Sequence, residues 1–193
     1  MNKLTPYIQK FKDDDQFAGV FGVIMFTKEH AHVRSVLENE IKWDALDEVS
    51  GDKFAIFSSR MQKGKYQISG GGPRGMGMLI QTWEEPNENK ELLNLFELDN
   101  TKDLPVICFF AEVRGNIQTC SISIDNKNED AAFDSLMNAI RDVTAALNFM
   151  PKANIHEGRC AFRVVDIAAD NHKAWRVIKK GFKFIPGIGR IIV

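Results

Sequence analysis

Residues 17–26 read FAGVFGVIMF, an almost continuous apolar run with three phenylalanines, two valines and an isoleucine. A strand that meets water on one face alternates apolar with polar residues. A run without alternation predicts a strand covered on both faces, at the centre of an α/β sheet. The spacing then changes. Val33, Leu37, Ile41, Ala45 and Val49 recur every four residues, with Val36 and Leu46 beside them. That period predicts one helix over 28–49, and Gly51 is its stop signal. Residues 53–58, KFAIFS, read as a second short apolar strand. Strand, helix and strand at this spacing make a βαβ unit, whose crossover is right-handed by the general rule for such units.

The reading extends outward from that unit. Between Arg60 and Pro86 the chain is glycine-rich and irregular, with short strands expected at Tyr66–Ile68 and Met78–Thr82 around a tip. Residues 89–98, NKELLNLFEL, predict a short amphipathic helix. Leu104-Pro105-Val106-Ile107-Cys108-Phe109-Phe110 is a strand opened by proline. Arg114-Gly115-Asn116 is a turn, and the alternation from Ile117 to Ile124 completes a hairpin with one half-exposed strand. Asp125 or Asn126 is the expected cap of a helix whose apolar face is Phe133, Leu136, Met137, Ile140, Val143 and Leu147. Beyond Pro151, Cys160–Ile167 reads as a strand. Asn171–Lys180 reads as a helix with Ala174, Trp175 and Ile178 on one face. Residues 182–193 read as a terminal hairpin through Pro186-Gly187.

The 193 residues are 44% hydrophobic and 26% charged. These values fit one soluble globular domain and exclude collagen-like, low-complexity and multi-span membrane classes. The expected domain is 1–193, with a core at 17–147 and a basic C-terminal appendage at 152–193. Charge is unevenly spread. Of 25 basic residues, six (Lys173, Arg176, Lys179, Lys180, Lys183, Arg190) fall in 171–193, where there is no acid. Residues 1–170 keep 19 basic against 26 acidic residues. A basic tail on an acidic body points to an anionic partner or to docking of tail on body. Cys108, Cys120 and Cys160 are odd in number and lack CxxC spacing. They form neither a disulfide framework nor a zinc site, and Cys108 and Cys120 sit in strand patterns as small buried hydrophobes. Residues 1–15 have no apolar signal region, and no apolar run nears the ~20 residues a spanning helix needs. A reduced, cytoplasmic location and no membrane association are the expectations.

The element order through residue 147 is β-α-β-α-β-β-α, and the strand after the second helix opens with Pro105. This order resembles the thioredoxin-like fold over about 17–147, with an insertion at 60–88. The resemblance implies a mixed sheet with flanking helices. It also implies that Pro105 is cis, begins the third core strand and faces the functional surface. In that family a CxxC motif stands at the start of the first core helix, where the helix dipole lowers the thiol pKa. Here that turn is Thr27-Lys28-Glu29-His30-Ala31-His32-Val33 and contains no cysteine. The resemblance therefore implies a redox-inactive version kept for binding. A second stretch, residues 164–184, is similar to the end of the GNAT acetyltransferase domain. Asn171, Ala174, Gly181 and Phe182 fit its spacing, which implies acetyl-CoA as a ligand. The chain departs from that family at the expected phosphate-binding turn, where Asp125–Asp130 has no glycine and three acids. Ile178 stands where the family's general acid is expected.

Three further candidates come from the residues themselves. Arg74, Gly75 and Gly77, in GGGPRGMG at 70–77, form either a surface loop or an anion cradle, since glycine exposes its N–H. His30 and His32 stand two apart, point to different faces of a helix and cannot chelate as an i, i+4 pair would. No metal or cofactor is implied. Lys173, Arg176, Lys179, Lys180 and Lys183, interleaved with Trp175, Phe182 and Phe184, suit an acidic protein surface or single-stranded nucleic acid. The expectation is a non-catalytic, redox-inactive intracellular binding module of α/β, thioredoxin-like fold with a C-terminal helix and hairpin. Its expected contacts are the Pro105 edge with the 27–33 turn, the glycine-rich loop and the basic tail. Its expected partner is a protein with an acidic surface. The alternative is a diverged acetyl-CoA-dependent N-acetyltransferase, and a third option is nucleic-acid binding through the tail.

Overall fold

The computed structural model describes residues 18–51, 54–58, 62–68, 78–84, 92–94, 96–99, 102–113, 116–149, 165 and 175–178. An interior strand of its sheet, β1 (Val20–Met25), is buried at every position. β2 (Phe54–Ser58) runs parallel to it on one side, with Val20 opposite Phe54. β5 (Val106–Val113) runs antiparallel on the other, with Met25 opposite Val106. β6 (Asn116–Ser123) pairs antiparallel with β5, and β7 (Trp175–Ile178) pairs antiparallel with β6. The mixed sheet is thus ordered β2-β1-β5-β6-β7. β3 (Gln62–Ile68) and β4 (Met78–Glu84) form a separate antiparallel ribbon where two short strands were expected.

Residues 20–26 of the apolar run are buried because both pleat faces of β1 are covered. On one face Phe21 stacks on Phe57 and Phe110, with ring centroids 6.0 and 5.5 Å apart, and Phe96 packs on Phe110 at 5.6 Å. On the other, Gly22 lies opposite both Ile56 and Phe109, and a Cβ there would meet each at 3.4 Å. Glycine at position 22 leaves room for the Phe109 ring, which meets Phe54 edge-on at 5.9 Å. Each such ring removed from water stabilises the fold by roughly 1.5–3 kcal/mol. Cys108 and Cys120 are buried and part of this core, as their strand patterns implied.

Two helices, not one, span 31–50. α1 (Ala31–Glu38) and α2 (Glu40–Ser50) are separated at Asn39, whose backbone is extended. The Asn39 side chain accepts from Lys42 N at 3.2 Å and so caps α2. The break shifts the buried face. Val33, Val36 and Leu37 are buried on α1, then Trp43, Leu46 and Ser50 on α2, while Ile41 is 81% exposed. The four-residue period at Ile41 was therefore coincidental: a capping side chain competed with helix propagation and won.

α3 (Glu129–Asn148) buries Leu136, Ile140, Val143 and Leu147 as its periodicity required. Its cap is Asn128 rather than Asp125 or Asn126, and Asn128 accepts from Ala131 N at 2.8 Å. α2 lies beside α3 and runs in the same direction. Near their starts Lys42 meets Glu129, and near their ends Thr144 Oγ1 donates to Val49 O at 2.9 Å. Two expectations for the C-terminal stretch fail. Val165, assigned to a strand, is buried and helical. Residues 175–178, assigned to a helix, extend the sheet as β7. WRVI has aromatic and β-branched residues suited to a strand, and pairing with β6 overrides a weak helical period. Residues 182–193, with the expected terminal hairpin, lie outside the described residues.

Candidate functional site

Three segments meet at the carboxyl end of β1, where open α/β sheets leave a crevice for ligands. The first is the turn from Phe26 to α1. The second is Leu104-Pro105, brought there because Val106 pairs with Met25. The Leu104–Pro105 peptide is cis, as the resemblance implied, and Pro105 is half-buried. The third is the stretch from β6 to α3. Ile124 N donates to Pro105 O at 2.9 Å, and Val33 N donates to Asn126 Oδ1 at 3.2 Å. Asn126 thus satisfies a first-turn N–H of α1, whose own cap residue, His30, makes no side-chain cap bond.

The turn itself is held by local bonds. Thr27 N donates to His30 Nδ1 at 3.0 Å, and Thr27 Oγ1 lies 2.9 Å from the same nitrogen. His30 N donates to Thr27 O at 3.1 Å. Arg34 Nη1 donates to Lys28 O at 3.0 Å and ties α1 back to the turn. Thr27 is buried, His30 and His32 are half-buried, and Lys28 and Glu29 are exposed. The Nδ1 lone pair receives the Thr27 N–H, so the Thr27–His30 pair locks the turn.

Charges cluster beside this turn. Glu129 accepts from Lys42 Nζ at 2.7 Å and from Ser35 Oγ at 2.6 Å. Lys42 also lies 3.7 Å from Asp130 and 5.5 Å from the centre of the Phe133 ring. The Lys42 bond, then the Ser35 bond, hold the Glu129 carboxyl below its ordinary range, with His32 adding a smaller contribution. The Glu129 bond raises the Lys42 ammonium in turn. Lys127 bonds Asp125 at 3.0 Å and lowers that carboxyl. These pairs fasten α1, α2 and α3 together at the end of the molecule that carries Pro105.

Of the sequence candidates, Pro105 precedes β5 at the end of β1 that leads into the turn, His30 is the cap residue of α1 and His32 lies in α1. Arg176 lies in β7. Arg74, Gly75, Gly77, Lys173, Lys179, Lys180 and Lys183 lie outside the described residues. The strand at 175–178 removes the helix on which the acetyltransferase resemblance was drawn. Among the described residues no group of His, Cys, Asp or Glu could hold a metal ion, and no helix is long and apolar enough to cross a membrane. Sequence reasoning passed over Asn126 as a brace for α1 and Glu129 as the partner of Lys42. The only local signal for Asn126 was its capping chemistry, and it was assigned to the wrong helix. The chain matches no protein-family profile, no curated protein and no solved structure.

Proposed function

We propose that the chain is a redox-inactive binding module of thioredoxin-like fold that contacts a partner through the Pro105 edge and the 27–33 turn. The observation that carries this reading is the sheet order β2-β1-β5-β6, with β1 parallel to β2 and antiparallel to β5. It sets Pro105, at the start of β5, beside a helix-opening turn occupied by Thr27 and His30 instead of cysteines. Burial of Cys108 and Cys120 agrees with the redox-inactive half of the reading. The partner is a protein with an acidic surface, on the strength of six cations and no acid in 171–193.

Two measurements test it. Disulfide reduction with insulin as substrate should show no turnover, and all three cysteines should label slowly with a maleimide. Turnover, or one fast thiol, overturns the redox-inactive half. A photo-crosslinking residue at Ala31, exposed in the first turn of α1, should yield a discrete adduct from cell extract that weakens with added salt. The same residue at Phe149, exposed at the far end of α3, should not. Adducts from Phe149 but not from Ala31 overturn the assigned surface.

A further inference from the structure

We infer that residues 179–193 of this chain dock across the adjoining ends of α2 and α3, with Phe149 as the apolar anchor and the basic residues of the segment against the helix carboxyl ends. The register of the sheet brings segment and site to one end of the molecule. Phe54, Val20, Ala111, Gln118 and Val177 pair in one row across β2, β1, β5, β6 and β7. Ile178 lies one step outside that row, opposite Ile117. The chain therefore leaves β7 at the amino end of β1, away from Pro105. Both helices finish there too. α2 stops at Ser50, shortly before Phe54, and Thr144 of α3 bonds Val49 O. Phe149 follows Thr144 along α3 toward the same end.

The two sides are chemically complementary. Phe149 is 90% exposed, whereas Ile41, the other exposed large apolar side chain among the described residues, lies near the opposite end of α2. Neither α2 nor α3 carries a basic residue in its last turn. Their terminal carbonyls and the negative poles of two helix dipoles thus stand side by side without a cation of their own. Glu48 and Asp142 are exposed near these ends. Residues 179–193 hold Lys179, Lys180, Lys183 and Arg190 and no acid, with Phe182 and Phe184 among the charges. Extended chain spans about 3.3–3.6 Å per residue, which puts Phe182 within a reach of roughly 13–14 Å from Ile178. A short tether holds such a segment at an effective concentration on the order of millimolar, which favours the chain's own tail over that of a second copy. A tail docked there occupies cations that the proposed acidic partner would otherwise meet, but the docking does not rest on that function.

The experiment uses the full-length protein alone and dilute, with benzoylphenylalanine in place of Phe149. After irradiation the crosslinked peptides are mapped by mass spectrometry. The main crosslink should join position 149 to residues 179–193 within one chain. Its yield should fall by roughly tenfold when Lys179, Lys180 and Lys183 are all changed to Glu, the combined scale of three exposed charge contacts. The same loss should appear in about 1 M salt, where screening is nearly complete. Glu48→Lys with Asp142→Lys, which reverses charge on the helix side, should lower the yield in the same direction. Crosslinks that fall in 150–174, that join two copies, or that do not form at all overturn the docking. So does a yield that ignores both salt and charge reversal. If the triple variant fails to fold, the salt series on the unaltered tail still decides. An intrachain crosslink at 149 without an extract adduct at Ala31 would leave the docking standing and the proposed binding surface not, and the reverse pair of results would do the opposite.

Discussion

Asn126 braces α1 from 93 residues away, its side-chain oxygen accepting the Val33 N–H at 3.2 Å. Helix caps are usually local, and this one is supplied by a stretch that also holds Pro105 through Ile124. The bond couples the opening of α1 to the position of the 124–128 loop. Asn126→Ala should cost about 1 kcal/mol, the typical value of a lost N-cap. For a chain of this size that is a fall in Tm of about 2–4 °C. Asn126→Asp retains an acceptor and should lose less. Equal losses in the two variants would show that the side chain packs rather than caps.

Glu97 sits with φ of +54° just after the helical residues 92–94 and 96. Leu98 N donates to Leu93 O at 2.9 Å, which closes the helix in the manner of a Schellman cap. That left-handed position favours glycine. Glu97→Gly should raise stability by about 0.5–1 kcal/mol, read by chemical denaturation, because a Cβ clash is relieved.

Gly51 makes the opposite prediction. Its φ of +61° and ψ of −158° lie in a region that only glycine occupies without strain, although nothing stands within 4 Å of a Cβ built there. Gly51→Ala should therefore destabilise by about 1–3 kcal/mol with no steric contact to blame. A neutral result in a melt would mean that the link from α2 to β2 can adopt another path.

The Glu129 carboxyl, held low by Lys42 and Ser35, makes stability depend on acid. Its folded pKa lies below the ordinary 4.5, so the unfolded chain binds the proton more readily. The contribution is complete above that value and is lost as pH falls through the lower, folded one. Lys42, raised above 10.5, contributes fully below that value and loses its share as pH rises through the higher, folded one. In denaturation series across pH, Glu129→Gln should flatten both limbs. A wild-type acid limb retained in that variant would assign the slope to other carboxylates.

Legibility followed the range of the interactions. β1, β5, β6 and α3 were readable because their burial is written in runs and periods of neighbouring residues. The start of β5 was readable because proline opens a strand in its own right. Asn39 hid a helix break inside a good apolar period, since a four-residue spacing says nothing about whether a side chain competes for the backbone. β7 was misread as part of a helix over 171–180 because Ala174, Trp175 and Ile178 share a helical spacing, whereas its state is decided by pairing with β6. Lys42 and Glu129 lie 87 residues apart and looked like ordinary surface charges. Nothing short of the fold pairs them.

The order of the sheet also constrains how the chain is made. β1 is synthesised before either of its neighbours: β2 follows soon afterwards, but the other side of β1 waits for β5, after the β3–β4 ribbon has been synthesised. Until then FGVIM at 21–25 presents an unpaired apolar edge, the kind of segment that recruits other chains. Yield during synthesis, rather than equilibrium stability, is where the placement of an apolar strand inside the sheet makes its demand on the cell.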